Sequence, residues 1–335
     1  MNKVICHINK KLFSENHFSE SKHNISAIVI DQDENIIFES VNKNDKLCLR
    51  STFKPFQTIP VIKNKLNIKY KLLNEEIALL CASHSGEKKH ISSLKKIMKK
   101  FKINLSMLQC GKHAPYSKEA KKELFKNNKP FNSLHNNCSG KHLGMIAVAK
   151  ELNADLDSYT DYKNPAQQQI IKETKKLIYE EPDWIIDGCS VPSPILSFES
   201  LAKLYLKLGL KVTPELKIIA NAIIKKPFYI AGTDRFDYDF INKGKGFFIT
   251  KGGAEAVRGL TMKTKKYGQI ALALKVDDGN QRANTPATLE ILRFLNIIDG
   301  KQINSLFAKY YRPRLLNHNK IHVGKIKVRL KQDVI

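Results

Sequence analysis

The strongest constraint on the fold of this chain is the placement of its strand-like sequence. It lies near both ends of the 335 residues, with helical periodicity between. Two short apolar runs, 26–30 and 35–40, flank Asp31-Gln32-Asp33-Glu34 and read as a β-hairpin. Strand-like sequence returns only late, at 246–250, 269–276 and 324–330. Between them, 86–101, 139–152, 165–179 and 197–208 carry apolar residues at 3.6-type spacing. A further helix is expected over 74–82, with Asn74 as its cap and Glu75 and Glu76 in its first turn, and another over 285–295. Two sets of strands this far apart can share a sheet only if the chain ends meet. The expected fold class is therefore α/β (α+β): one mixed sheet built from both chain ends, with a central helical lobe. The sheet lobe would take roughly 1–60 and 230–335 and the helical lobe roughly 60–230, in one domain spanning 1–335.

Composition narrows the class. A hydrophobic share of 42% suits a globular core, and no apolar run is long enough for a membrane helix. The first 20 residues hold no stretch suited to a signal peptide, so a cytoplasmic location is expected. Six cysteines scattered along a long chain do not resemble a disulfide framework. The net charge of +25 invites a nucleic-acid reading, but only eight residues are arginine, the side chain that reads phosphate and guanine bidentately. The densest lysine runs, Lys95-Lys96 and Lys99-Lys100, stand opposite Leu94, Ile97, Met98 and Phe101, as on a solvated helix face. No specific nucleic-acid partner and no membrane partner is expected.

Four clusters carry candidate chemistry. In Arg50-Ser51-Thr52-Phe53-Lys54-Pro55-Phe56-Gln57, Ser51 and Lys54 are three apart, within reach of each other on one helical turn. A serine hydroxyl needs a base, and a lysine serves only if burial or a positive field lowers its pKa. Pro55 implies a short turn entering a helix, with the proline near its start. The bland alternative is an N-cap serine with a solvated lysine; Ser92 and Lys95 repeat the spacing elsewhere. In Cys81-Ala82-Ser83-His84-Ser85-Gly86-Glu87, Ser83 or Ser85 could simply cap the next helix, with His84 and His90 on the surface. The third cluster, Asn136-Asn137-Cys138-Ser139-Gly140-Lys141-His142, is not a phosphate-binding loop, because His135 stands where a glycine is needed and His142 replaces the magnesium-holding hydroxyl. Cys138, Lys141 and His142, with Cys189 of Asp187-Gly188-Cys189-Ser190-Val191-Pro192, could instead face one zinc ion. Two thiolates and one further ligand would leave such a metal an open position. The fourth cluster is Thr250-Lys251-Gly252-Gly253-Ala254-Glu255, a lysine at a strand end or merely a charged turn residue. The loop Ala231-Gly232-Thr233-Asp234-Arg235-Phe236-Asp237 offers Thr, Asp and Arg to an amino-acid zwitterion, or is a hairpin turn with a salt bridge.

Taken together, these strings, with Asp278-Gly279-Asn280-Gln281-Arg282-Ala283, resemble the bacterial asparaginase II-like family, and they cover roughly 26–295 in order. The resemblance implies a serine β-lactamase and glutaminase-like fold. It also implies an L-asparaginase that hydrolyses the side-chain amide of L-asparagine, with a related amidohydrolase acting on glutamine or a β-lactam as the alternative. It implies Ser51 as nucleophile with Lys54 as its base, and Ser83 with Lys251 as a second Ser–Lys pair. Arg50, Asp187, His142 and Arg235 would shape or bind substrate. Cys138, Lys141 and Cys189 would hold a zinc ion that orients substrate without performing the hydrolysis. A homodimer is implied as well. Asn164 stands where the family pattern has histidine, and Ala256 where glycine is commoner.

Overall fold

The computed structural model describes residues 1–14 and 16–332. The chain forms two compact units: residues 1–47, 197–206 and 250–335, and residues 48–196 and 207–249.

The first unit is built on one sheet whose described pairings are antiparallel, where the sequence reading expected a mixed sheet. Its strands are β1 Asn2–Lys11, β2 His17–Ile30, β3 Ile36–Glu39, β4 Phe248–Gly252, β5 Val257–Thr264, β6 Gly268–Val276, β7 Arg314–Leu316 and β8 His322–Gln332, in the spatial order β7-β8-β1-β2-β6-β5-β4 with β3 also on β2. The two ends of the chain therefore pair directly, with Cys6 opposite Val328 and Lys3 opposite Lys331 in antiparallel register. The expected hairpin is β2–β3: Asp31 Oδ1 accepts the N–H groups of Asp33 and Asn35, each at 2.9 Å, and closes the turn. In β1 the apolar residues Val4, Cys6 and Ile8 are buried in alternation, as in a strand covered on one face, and Asn9 is buried beside them. The inner parts of β2 (Ala27–Ile30) and β6 (Ile270–Leu274) are fully buried, which explains their unbroken apolar runs.

Three strands of this sheet escape the sequence reading: β1, β5 and the short β7. β1 carries only a three-residue alternation among polar neighbours. β5 contains Gly259, Arg258 and Thr261, which read as loop. Gly259 is there because a Cβ would lie 2.0 Å from the ring of Tyr205, on the helix Phe198–Leu210 that packs on it. Arg258 is buried but satisfied, donating to Asn284 Oδ1 at 2.6 Å and Thr250 Oγ1 at 2.9 Å.

The second unit is mainly helical. Its centre is the helix Ser139–Glu151, in which residues 139–149 are all buried, the polar Ser139, Lys141 and His142 of its first turn included. It packs on the helices Asn74–Leu80, Lys88–Phe101, Ile59–Lys63 and Pro165–Lys175. Gly140 permits the first of these contacts, since a Cβ would sit 2.1 Å from the carbonyl oxygen of Leu79. Asn74 is not the cap expected of it. The cap position is Leu73, whose N–H is held at 2.8 Å by Glu76 Oε2, because the carboxylate reaches back over the first turn. Asn164 does cap its helix, accepting from Ala166 N–H at 3.0 Å.

Candidate functional site

Residues Arg50–Phe53 form a 3-10 turn that runs into the short helix Lys54–Gln57, with Pro55 in its first positions, as the proline requires. This turn puts Lys54 in the interior. Its side chain is 0% exposed, and Nζ lies 2.6 Å from the carbonyl of Ala82, 3.0 Å from Ser83 Oγ and 3.2 Å from the carbonyl of Asn137. The Cys138 thiol also approaches it. Burial pushes the Lys54 pKa below the ordinary lysine value, and the charge on Lys141 adds to the effect. A neutral amine has two N–H donors and one lone pair. Two carbonyls can only accept, so they use both donors, and the lone pair is left for a group that can give a proton. Ser83 is such a group. Ser51 is half-exposed on the preceding turn, and its Oγ has no hydrogen-bond partner among the described residues.

The loop after the helix Asn74–Leu80 holds Ser83 in place through its own N–H, which donates to the carbonyl of Ile230 at 2.9 Å. His84 and His90 are not surface residues: both are 0% exposed. His84 Nδ1 accepts from Gly86 N–H at 3.1 Å, so its Nε2 carries the proton and donates to Ser139 Oγ at 2.9 Å. His90 accepts from Glu87 N–H, donates to the carbonyl of Phe228, and stacks on the Phe228 ring at 4.5 Å. Burial holds the His84 pKa well below its ordinary value and pulls that of His90 down to about 4. Both are neutral scaffold groups. The helix cap that Ser83 or Ser85 might have supplied is Glu87.

Beside Lys54 lies a second buried amine, on the face of the helix that begins at Ser139. Lys141 is 3% exposed and sits 3.5 Å from Asp187 Oδ2, in hydrogen-bonding contact with Cys189. Burial alone would lower its pKa, but Cys189, Cys138 and Asp187 outweigh that and raise it. Asp187 also faces Arg50 Nε at 2.8 Å, an ion pair in which the N–H is not aimed at the oxygen. Burial raises the Asp187 carboxyl, yet Lys141 and Arg50 bring it below the usual range. The two thiols share a proton. A hydrogen bond from Cys138, with help from Lys141, lowers Cys189 to about 6, while that bond and burial push Cys138 up to about 12.

Cys138, Lys141 and Cys189 thus meet as two sulfurs and one nitrogen, a donor set that fits a thiophilic divalent ion such as zinc. No group of three or more His, Cys, Asp or Glu side chains suited to a metal occurs among the described residues, so Lys141 would have to serve as the third donor after losing its proton. His142 is fully buried one residue further on. Its Nδ1 lies 2.7 Å from Tyr159 OH, and its Nε2 is buried without a partner.

Arg235 lies in a loop between two helical segments, Pro227–Ile230 and Phe236–Lys243, so the hairpin alternative for that loop is excluded. Its guanidinium lies over the Tyr116 ring at 5.5 Å and donates to Ser85 Oγ at 3.3 Å. Thr233 donates from both N–H and Oγ1 to the Glu87 carboxylate at 2.8 Å. Lys251 belongs to the first unit, within β4. It is 1% exposed and donates to the carbonyl of Gly252 at 2.8 Å, so it is an interior strand residue and not a charged turn.

Sequence reasoning missed the carbonyls of Ala82 and Asn137, since any residue type supplies one. It also missed His113, whose Nε2 accepts the Asn137 N–H at 2.9 Å and whose ring stacks on Tyr116 at 5.0 Å.

Comparison with curated proteins gives no significant match. Among solved structures, a class A beta-lactamase from Bacteroides cellulosilyticus DSM 14838 is similar, at 14% identity over 85% of this chain and 94% of that one, with a TM-score of 0.43. The family model described as L-asparaginase II matches residues 14–328, and the chain belongs to that family.

Proposed function

We propose that this hydrolase acts on L-asparagine, releasing ammonia from the side-chain amide and leaving L-aspartate by way of a serine acyl-enzyme. The observation that carries this reading is the environment of Lys54. A fully buried amine is held by two carbonyls and one hydroxyl, with no carboxylate among its bonded partners. Such an amine favours its uncharged form and can take a serine proton.

In the proposed sequence Ser51 Oγ attacks the amide carbon. Its proton passes to Lys54, with Ser83 relaying it, and backbone N–H groups stabilise the oxyanion. The C–N bond breaks, the leaving nitrogen takes the proton held on Lys54, and ammonia departs. Water then cleaves the ester by the same proton path. Arg50, Asp187, His142 and Arg235 would set the charge and shape around an amino-acid substrate. Cys138, Lys141 and Cys189 would hold zinc, which when bound supplies positive charge that orients the substrate.

The 3.0 Å contact between Ser83 and Lys54 favours a second reading, in which Ser83 is the nucleophile and Ser51 positions substrate. Ammonia release from asparagine, glutamine and simple amides tests the substrate. Mass spectrometry of Ser51→Ala and Ser83→Ala after a brief exposure to asparagine tests the nucleophile. The variant that still accumulates an acyl adduct retains the attacking hydroxyl. Wild-type turnover in a folded Ser51→Ala protein would sink the first reading.

A further inference from the structure

The helix Lys88–Phe101 carries another Ser-x-x-Lys of the chain, Ser92 and Lys95, which the site above leaves unused. Both are exposed and line a cleft of about 500 Å³ within the second unit. The cleft runs between that helix, the helix Lys118–Lys126 and the segment 127–135. Three lysines reach its rim, Lys88 and Lys95 from that helix and Lys129 from the segment 127–135. None has an ion-pair partner among the described residues. Glu123 is the single acidic side chain lining it. Ile91, Leu124, Pro130 and Leu134 supply apolar wall between the charges.

Charge alone would mean little on a chain of net +25. A concave site combining convergent ammonium groups with apolar walls is more selective than a basic surface. Lysines act as point charges on phosphate oxygens, whereas the planar bidentate recognition of arginine is missing here. An inorganic anion would leave the apolar walls wet, and a neutral ring system would leave the lysines unused. The volume falls within the range that small-molecule sites occupy. We propose that this cleft binds a nucleoside di- or triphosphate, with its phosphates on Lys88, Lys95 and Lys129 and its base against Ile91, Leu124 and Pro130. This goes beyond the proposed amide hydrolysis and does not depend on it.

Isothermal titration of the full chain at low ionic strength tests the assignment, with ATP, tripolyphosphate and adenosine as probes. ATP is expected to bind with a Kd on the order of 100 µM. Tripolyphosphate should bind at least several-fold more weakly and adenosine not measurably. Lys95→Glu combined with Lys129→Glu should weaken ATP at least tenfold, and Lys88→Glu alone should weaken it by a smaller factor. Lys172→Glu combined with Lys217→Glu changes the net charge equally on exposed helix positions outside the cleft, and should leave ATP affinity within about threefold. All the substituted lysines are exposed, so thermal unfolding should match the wild type and separates binding loss from misfolding. The proposal falls if ATP fails to bind the wild type. It falls equally if the control pair loses affinity as far as the cleft pair, or if tripolyphosphate binds as tightly as ATP.

Discussion

Lys54 and Lys141 lie in the same unit, both almost without exposed surface, and their surroundings drive them toward opposite proton states. Around Lys54 the bonded partners are two backbone carbonyls and a serine hydroxyl; burial, with the charge on Lys141, outweighs the pull of the Cys138 and Cys189 sulfurs, and the pKa falls. Around Lys141 stand the Asp187 carboxylate and the low-pKa thiol of Cys189, and the pKa rises. Burial depth is the same; only the charge of the neighbours differs. A buried lysine is thus no signature of a catalytic base by itself. Its partners decide whether it works as a base or as a fixed cation.

Four experiments break or sharpen that contrast. The largest effect is expected from Lys54→Met, which removes the amine but keeps the apolar stem. Ammonia release should fall about 10³–10⁴-fold in a folded protein, and a loss below tenfold would end the role of Lys54 as base. Next comes Asp187→Asn, which takes the carboxylate away from both Arg50 and Lys141. Breaking a buried ion pair from one side costs about 3 kcal/mol or more. Urea denaturation should show that loss, and an unchanged midpoint would mean that Cys189 alone holds the cation.

His90 extends the rule to a buried ring with no charged partner. Its folded pKa of about 4 lies below the ordinary value of 6.5, so the unfolded chain takes up the proton first as pH falls. Its contribution is complete above 6.5 and is lost between 6.5 and 4, to a total of roughly 3 kcal/mol. His90→Gln should flatten the slope of stability against pH in that window. An identical slope in both proteins would assign the acid sensitivity elsewhere. The smallest effect is expected from Lys141→Met. If Lys141 is a fixed cation near substrate, KM should rise about tenfold with kcat little changed. If Lys141 instead gives up its proton to hold zinc, the same substitution should lower the zinc that co-purifies with the protein, as read by atomic emission. A collapse of kcat with KM unchanged would place Lys141 in the proton path.

Much of this architecture was legible in the sequence because period and punctuation are local. The unbroken apolar runs of β2 and β6 announced a covered sheet, and Pro55 announced a turn leading into a helix. β5 was not legible, because Gly259 and Arg258 make sense only beside Tyr205 and Asn284, which lie far away in sequence. The site divides in the same way. Its candidate side chains stood out as rare strings. The groups that tune them did not stand out. Two of the three atoms bonded to Lys54 are main-chain oxygens, and the neutral state of His84 follows from a single N–H of Gly86. Such determinants belong to the fold, and no residue alphabet records them.

The pairing of β1 with β8 has a consequence for biosynthesis. β1 leaves the ribosome some 300 residues before β8 exists, so its backbone donors and acceptors on that side wait until residues 322–332 have been made. Closing so long a loop carries an entropic cost that local contacts cannot offset early. The helical unit, encoded between the two, can fold while the sheet still has an open edge. A nascent chain stalled before residue 322 would expose that edge to other chains, which makes the last strand a safeguard against aggregation as much as part of the core.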